Sequence, residues 1–455
     1  MSLAAVMAES PGQSLPQQAA SWGDLKAAYR LLSNDAVDPH DIQMPHRMLT
    51  RDSCGEHKIV LVVQDSTELD FSRHRHRTRG LGPLANGQGL GLVQHSSLAV
   101  TPHGELLGVL NQFWHVRRPR PRHETRKQRR SRWRESCLFT DTVAAVGQGP
   151  NGCRFVHVAD RAADDFELFQ ACRREGAGFV IRARHDRNVD DHTAYLWSFM
   201  EDRPIVAVTT VKVSHQRAKG HRAARRQRTA MVHVRAAEVT LDRPHHTSQA
   251  EFEPKRMWAV YVLEDEPPED VQEPIDWMLL TSEGPQESES LDQWARKIIR
   301  WYRLRWLIEE WHRVEKEGCR LEASQLDEVK DLQRLASLIA VIAVRILQLR
   351  NLAQRNSRRP DDPRRSGKDE SQSPQVLQRE VPRLWIAVVA KLAKCDPQKL
   401  TPRRFWTTIA TRGGWLGRTH DPPPGWKVIW RGWYDITRMV QGAELFAKSN
   451  PVRSG

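Results

Sequence analysis

Two short runs, "KIVLVVQD" at 58–65 and "RFVHVAD" at 154–160, constrain the fold more than any other feature of this chain. Each is a short, largely apolar run, the first mostly β-branched and bounded by charge, and each closes on an aspartate. A strand that is apolar on both faces has to be covered on both faces, which is the habit of α/β sheets flanked by helices. The second run continues as strand, helix, strand through "RFVHVADRAADDFELFQACRREGAGFVIRAR" at 154–184, with acidic residues in the first turn of the helix. Between the two, "HSSLAVTPHGELLGVLNQFW" at 95–114 predicts a hairpin around the turn "TPHGE". The fold class this predicts is α/β.

The rest of the chain adds units to that core. At 455 residues the length suggests about three domains. "SWGDLKAAYRLLSND" at 21–35 has helical period, with Leu25, Ala28, Tyr29 and Leu32 on one face. From about 185 to 275 that period gives way to alternating pieces such as "IVAVTTVKVSH" and "MWAVYVLED", the pattern of a β-rich insertion. Helices return from "LDQWARKIIRWYRLRW" through "DLQRLASLIAVIAVRILQLRNLAQ". The segment at 355–374, charged and almost without apolar residues, predicts a linker. A Trp-rich helical region then closes the chain.

Charge narrows the partners. Lysine and arginine outnumber aspartate and glutamate 70 to 56, a formal net charge of +14, so a polyanion is the first partner to consider. Two basic runs, 115–136 and 214–230, read either as solvated loops or as contacts to DNA phosphates. The longest apolar run, "LIAVIAV" at 338–344, stops at Arg345 and predicts a buried helix, so no membrane is expected. The first residues lack the features of a secretory signal, which predicts a cytoplasmic protein with reduced cysteines. The six cysteines form no C-x-x-C pair and predict structural roles. "GLGPLANGQGLG" at 80–91 lacks the G-K-[ST] of a phosphate loop, and no G-x-S-x-G elbow occurs, so neither an ATP site nor serine or cysteine hydrolysis is expected.

The most informative stretch is "YRLRWLIEEWHRVEK" at 302–316. On a continuous helix, Tyr302, Arg305, Glu309, Arg313 and Lys316 fall within roughly 60° of one stripe, while Leu304, Leu307, Ile308, Trp311 and Val314 face the core. Glu310 falls on the flank, at about 80°. Glu309 is then either an ordinary i,i+4 partner of Arg305 and Arg313, or a functional carboxylate ringed by cations. Asp65 and Asp160 tilt the choice. Both are expected at carboxyl ends of strands, where functional groups of α/β sheets gather, although Asp160 could equally be a turn former and cap. Three carboxylates so placed could bind a pair of Mg²⁺ ions, since hard cations take oxygen ligands and two metals can clamp a phosphodiester.

These residues carry a resemblance. The spacing Y-x2-R-x3-E-x6-K, matched by Tyr302, Arg305, Glu309 and Lys316, is similar to the signature of bacterial cut-and-paste DDE transposases of the insertion-sequence-four family, close to its transposon-five branch. "VVQDSTELDF", "GLGLVQHSSLAVTP", "VADRAAD", "FVIRARH" and "DWMLLTSE" follow in family order, so the resemblance covers nearly the whole chain. It implies a ribonuclease-H-like catalytic core interrupted by the β-rich insertion, with Asp65, Asp160 and Glu309 as catalytic residues binding Mg²⁺, with Mn²⁺ as a substitute. It implies double-stranded DNA as partner, both transposon ends and target, and a homodimer on DNA held by a C-terminal helical domain. Tyr302, Arg305, Arg313 and Lys316 would contact DNA. By motif position Arg182 and Trp277 resemble the family's DNA-end contacts, the tryptophan against a flipped base, although Trp277 also reads as a core residue.

The chain then divides into an N-terminal helical segment at 1–55, core at 56–184, insertion at 185–275, core with Glu309 at 276–354, linker at 355–374 and C-terminal helices at 375–455. The resemblance also leads one to expect a basic end-binding region before "KAAYR". Only the weakly charged "MSLAAVMAESPGQSLPQQAAS" stands there, which reads as a truncated DNA-binding region. The competing expectations are a nuclease that nicks without strand transfer, and a non-catalytic DNA-binding or inhibitory transposase remnant.

Overall fold

The computed structural model describes residues 3–118, 123, 125, 133–189, 193–213, 227–242, 255–269, 271, 273–357, 373–418 and 421–449. Most of both basic runs and most of the linker lie outside the described residues. The chain forms two compact units, one made of residues 44–75 and 80–310, the other of residues 1–43, 76–79 and 311–455.

The first unit is built on one sheet of 12 strands. In chain order they are β1 (Ile59–Asp70), β2 (Gly82–Pro83), β3 (Leu90–Val100), β4 (Leu106–His115), β5 (Arg154–Ala159), β6 (Gly178–Arg182), β7 (Asn188–Val189), β8 (Ala194–Tyr195), β9 (Ile205–Val213), β10 (Arg228–Leu241), β11 (Lys255–Glu264) and β12 (Asp276–Thr281). β3 and β4 are the expected hairpin, and β3 pairs antiparallel with β1. β5 lies parallel to β1, and β6 parallel to β5. Beyond β6 the sheet continues antiparallel through β12, β11 and β10, so the β-rich stretch extends the core sheet through direct strand pairing. The stretch also holds one short helix, Leu196–Glu201.

The central strands are buried on both faces, as their composition requires. Val60, Val62, Phe155, Phe179 and Ile181 pack with the helices Cys137–Val146 and Phe166–Arg174 in one cluster. The alternate residues Leu61, Val63, Val156, Val158 and Val180 are fully buried as well. The helix Leu291–Arg303 packs on the sheet, with Trp294 and Ile298 fully buried and a Ser290–Gln293 capping box at its start.

The second unit is helical. Helices Leu3–Glu9, Leu15–Gln18 and Trp22–Leu32 accompany the long helix Val329–Ser357 and the helices Pro374–Glu380, Arg383–Leu392, Pro402–Arg412 and Trp426–Ser449. Leu25, Ala28 and Leu32 are buried as the period predicts, but Tyr29 is exposed. Averaged over a longer window than the "LIAVIAV" run, Val329–Gln354 is long and apolar enough to cross a membrane, yet 67% of that window is buried inside the protein, as in a core helix. Its Arg334 guanidinium donates to the carbonyls of Leu32 at 2.9 Å and Val37 at 2.8 Å, and pairs with Asp35 and Asp331. A second core joins Phe405, Ile409, Ile429 and Ile436, with Trp433 between Trp385 and Trp406. Two glycines permit this crossing: a Cβ on Gly432 would meet the Ile409 carbonyl oxygen at 1.8 Å, and one on Gly413 the Val428 carbonyl oxygen at 1.8 Å.

Candidate active site

Asp65 and Asp160 are placed by strand register. β1 and β5 pair in parallel from Ile59 opposite Arg154 to Val63 opposite Val158. Each aspartate lies two residues past that last pair, so both leave neighbouring strands, whose backbones run about 5 Å apart, at the same level. The expectation that Asp65 ends its strand needs correction. β1 runs on to Asp70, because β3 pairs with it along that whole length, Asp65 opposite Ser96, while parallel pairing with β5 stops short. Asp160 does follow the end of β5 and caps the turn Arg161–Ala163, its Oδ1 accepting from the Ala162 N–H at 2.9 Å. The cap uses one oxygen, so capping and a second role are compatible.

Glu309 arrives from the helix Trp306–Arg313. The uninterrupted helix expected over 302–316 is also corrected. Leu291–Arg303 ends, Leu304 and Arg305 form a turn, Trp306–Arg313 follows, and Val314–Gly318 is a π-helical turn. The break rotates Tyr302 inward, where only 6% of it is exposed, instead of leaving it on an outward stripe. Glu309 and Arg313 remain exposed. Lys316 belongs to the helical unit and pairs with Glu322 at 3.4 Å, so the last cation of the motif is engaged locally.

Arg305 links the carboxylates. Its Nη1 lies 3.1 Å from Asp65 Oδ2, and its Nη2 pairs with Glu309 Oε1. Burial works against the charge of this guanidinium, but Glu309 and Asp65 more than offset it and hold the group protonated. Asp65 is pushed up to about 7, first by burial; Arg305 opposes the shift, Asp160 and Glu309 add to it, and the Ser66 N–H opposes it. Asp65 therefore feels both other carboxylates, with Arg305 against them. A hard divalent cation suits this donor set, whose negative charge one guanidinium does not neutralise. Among the described residues, however, no three His, Cys, Asp or Glu side chains stand close enough to hold a metal ion as placed. Arg305 takes the ground between Asp65 and Glu309 instead.

Tyr302, Trp277 and Arg182 border the same cluster. The Trp277 ring on β12 meets the Tyr302 ring edge-on at 5.3 Å, and Trp277 is only half-buried. Tyr302 is pushed up by burial, opposed by Arg305 and then Arg182, while Asp160 adds to the shift. Arg182, which acts on the Tyr302 hydroxyl, is held by its Nη2 donating to the Asp276 carbonyl at 2.7 Å. Of the nine residues singled out from sequence, seven (Asp65, Asp160, Glu309, Arg305, Tyr302, Arg182 and Trp277) thus meet in one unit.

On the opposite face of β1 runs a buried polar chain that sequence reasoning passed over. The Ser66 hydroxyl donates to His95 Nδ1 at 2.8 Å, His95 Nε2 lies 3.3 Å from Gln64 Oε1, and Gln64 Nε2 lies 2.5 Å from His157 Nδ1. Burial pushes both histidines down to about 3, so both are neutral and can accept at Nδ1. The signal was present: polar residues at "QHS" and "FVHV" in strands otherwise apolar.

The comparison with known families bears on the other unit. Residues 1–37 match the transposase DNA-binding family. The match supports a transposase with DNA as its partner. It covers the helices Leu3–Glu9, Leu15–Gln18 and Trp22–Leu32, the stretch whose weak charge put end binding in question, and so speaks for DNA binding there.

Proposed function

We propose that the protein is a DNA transposase of the DDE class, which cuts and joins DNA at the ends of an insertion sequence, with Mg²⁺ (or Mn²⁺) bound by Asp65, Asp160 and Glu309. The observation that carries this reading is that Asp65 and Asp160 leave neighbouring parallel strands and that Asp160 and Glu309 both come near enough to Asp65 to help burial push its carboxyl up to about 7. The strand sequence β4-β3-β1-β5-β6, an antiparallel meander beside parallel strands, supports a ribonuclease-H-like core with 185–275 as its β-rich insertion.

Bound Mg²⁺ would supply Lewis acidity toward the scissile phosphate and a more acidic attacking water. The protein's own residues do the rest. Asp65 has to give up its proton near neutrality to become a full ligand. Glu309, with 52% of its side chain exposed, is the carboxylate freest to move, and it must leave Arg305 to bind. Arg305, freed from Glu309, would be available to a DNA phosphate, with Arg182 as a cation and the half-buried Trp277 as a stacking edge beside it. The C-terminal helices would hold a homodimer on DNA.

A second reading is favoured by one observation: Arg305 already neutralises Asp65 and Glu309 as an ion pair, as in a non-catalytic DNA-binding remnant. Incubating a supercoiled donor bearing terminal inverted repeats with Mg²⁺ separates the two. The transposase reading predicts cleaved and end-joined products, lost in Asp65→Ala and Glu309→Gln with DNA binding kept. Binding without cleavage by the unaltered protein leaves the remnant, and cleavage without joining leaves a simple nuclease.

A further inference from the structure

In the helical unit, an open groove of about 520 Å³ runs along the helix Pro402–Arg412 and the end of Arg383–Leu392. Its walls carry arginines and threonines and no carboxylate. Two adjacent rows at i,i+4 spacing supply them: Arg403, Thr407 and Thr411 in one, Arg404, Thr408 and Arg412 in the other.

The hydrogen bonds show which of these groups have donors to offer. Thr408 and Thr411 give their hydroxyl protons to the carbonyls four residues back, Arg404 at 2.7 Å and Thr407 at 2.9 Å. Arg412 is neutralised by Asp435. Arg404 uses Nη2 on the Ala393 carbonyl at 2.7 Å, which fixes its guanidinium at the groove wall with its remaining N–H groups unused among the described residues. Thr401 accepts the Arg404 N–H as the helix cap, so its own hydroxyl proton is free to donate. Arg403 has no ion pair or hydrogen bond among the described residues. The turn that brings Ala393 to the groove also carries the exposed Lys391 and Lys394. The groove lining thus offers cations and donors, and the carboxylate that reaches it, Asp435, is taken up by Arg412.

We propose that this groove binds the phosphodiester backbone of double-stranded DNA, as a contact separate from the carboxylate cluster and from the N-terminal family match. The inference rests on the reading of the chain as a DNA-binding transposase. A duplex is favoured over other anions by that match and by the net charge of +14. Such contacts are blind to sequence and release counterions, so they are read in the salt dependence of binding.

The test is duplex binding by the full chain, without divalent cation, across a salt series. Arg403→Gln should lower the slope of log K against log salt by about 0.9, and Arg403→Gln/Arg404→Gln by roughly twice that, on duplexes of unrelated sequence alike. Arg403→Lys should keep the slope. Arg431→Gln, an equal charge loss on an exposed arginine outside the groove, should leave it unchanged. Because Arg403 holds no partner among the described residues, its replacement should not alter melting. A slope unchanged in both groove variants, or lowered equally by Arg431→Gln, overturns the groove while the DNA-binding reading stands. No duplex binding by the unaltered chain overturns both.

Discussion

Each unit holds a largely buried arginine between carboxylates, and the two are built to different ends. Arg334 is satisfied all round: two carbonyls and two carboxylates take its N–H groups, and it staples the Trp22–Leu32 helix and the turn after it to the long helix. Asp331 beside it is pushed up by burial, with Arg334 opposing the shift. Arg305 instead bridges two carboxylates, Asp65 and Glu309, while Asp160 acts on Asp65 from the next strand, and Asp65 is pushed up to about 7. A satisfied cluster stabilises a fold, whereas a set of like charges forced together at the end of parallel strands is an arrangement that stability alone would not favour.

The comparison can be broken by removing each arginine. Arg334→Leu should cost about 3–5 kcal/mol, since it leaves the Leu32 and Val37 carbonyls and the buried Asp331 carboxylate without their partner, read as a large drop in the melting temperature of the helical unit. Arg305→Leu should be milder at pH 5, where Asp65 can be protonated, and more damaging at pH 8. Equal losses at both pH values would show Arg305 to be a staple like Arg334. Packing supplies a reference of similar size. Gly432→Ala, which sets a Cβ against the Ile409 carbonyl, should cost about 3 kcal/mol in the same unit and leave the pH dependence untouched.

Titration sharpens the contrast. The folded pKa of Asp65, about 7, lies above its unfolded value near 4, so the folded state binds the extra proton. Its contribution to stability is full below about pH 4 and is lost as pH rises through 7. Without divalent cation, Asp65→Asn should therefore be more stable than the parent at pH 8, by roughly 1–3 kcal/mol, with the difference shrinking toward pH 4. A parent as stable as Asp65→Asn at both ends of that range would remove the crowding argument. The smallest effect is expected at the border of the cluster: Trp277→Ala should cost about 1 kcal/mol of stability through the lost edge contact with Tyr302, seen in chemical denaturation.

Much of this was legible in the chain because the informative signals were local. Apolar runs marked β1, β5 and β6, the "TPHGE" turn marked the hairpin, and the spacing of Arg305 and Glu309 predicted their pairing. What escaped depends on partners distant in sequence. The length of β1 past Asp65 is set by β3, some thirty residues on, so the apolar run alone ended it too early. Helical period over 302–316 could not register the turn at Leu304 and Arg305, because the apolar positions on either side keep a plausible phase. Neutral histidines inside a sheet look, in sequence, like interruptions of a strand; only the Ser66–His95–Gln64–His157 bonds show them to be part of it.

The most direct test of the central claim is Mn²⁺ binding at pH 7, followed by electron paramagnetic resonance together with proton release. If Asp65, Asp160 and Glu309 form a metal site, the protein binds Mn²⁺ with release of a fraction of a proton from Asp65, Mg²⁺ competes, and Asp65→Asn and Glu309→Gln each weaken binding at least tenfold. Absence of binding, or binding indifferent to both substitutions, would contradict the account and leave Arg305 and its carboxylates as an ion-pair cluster.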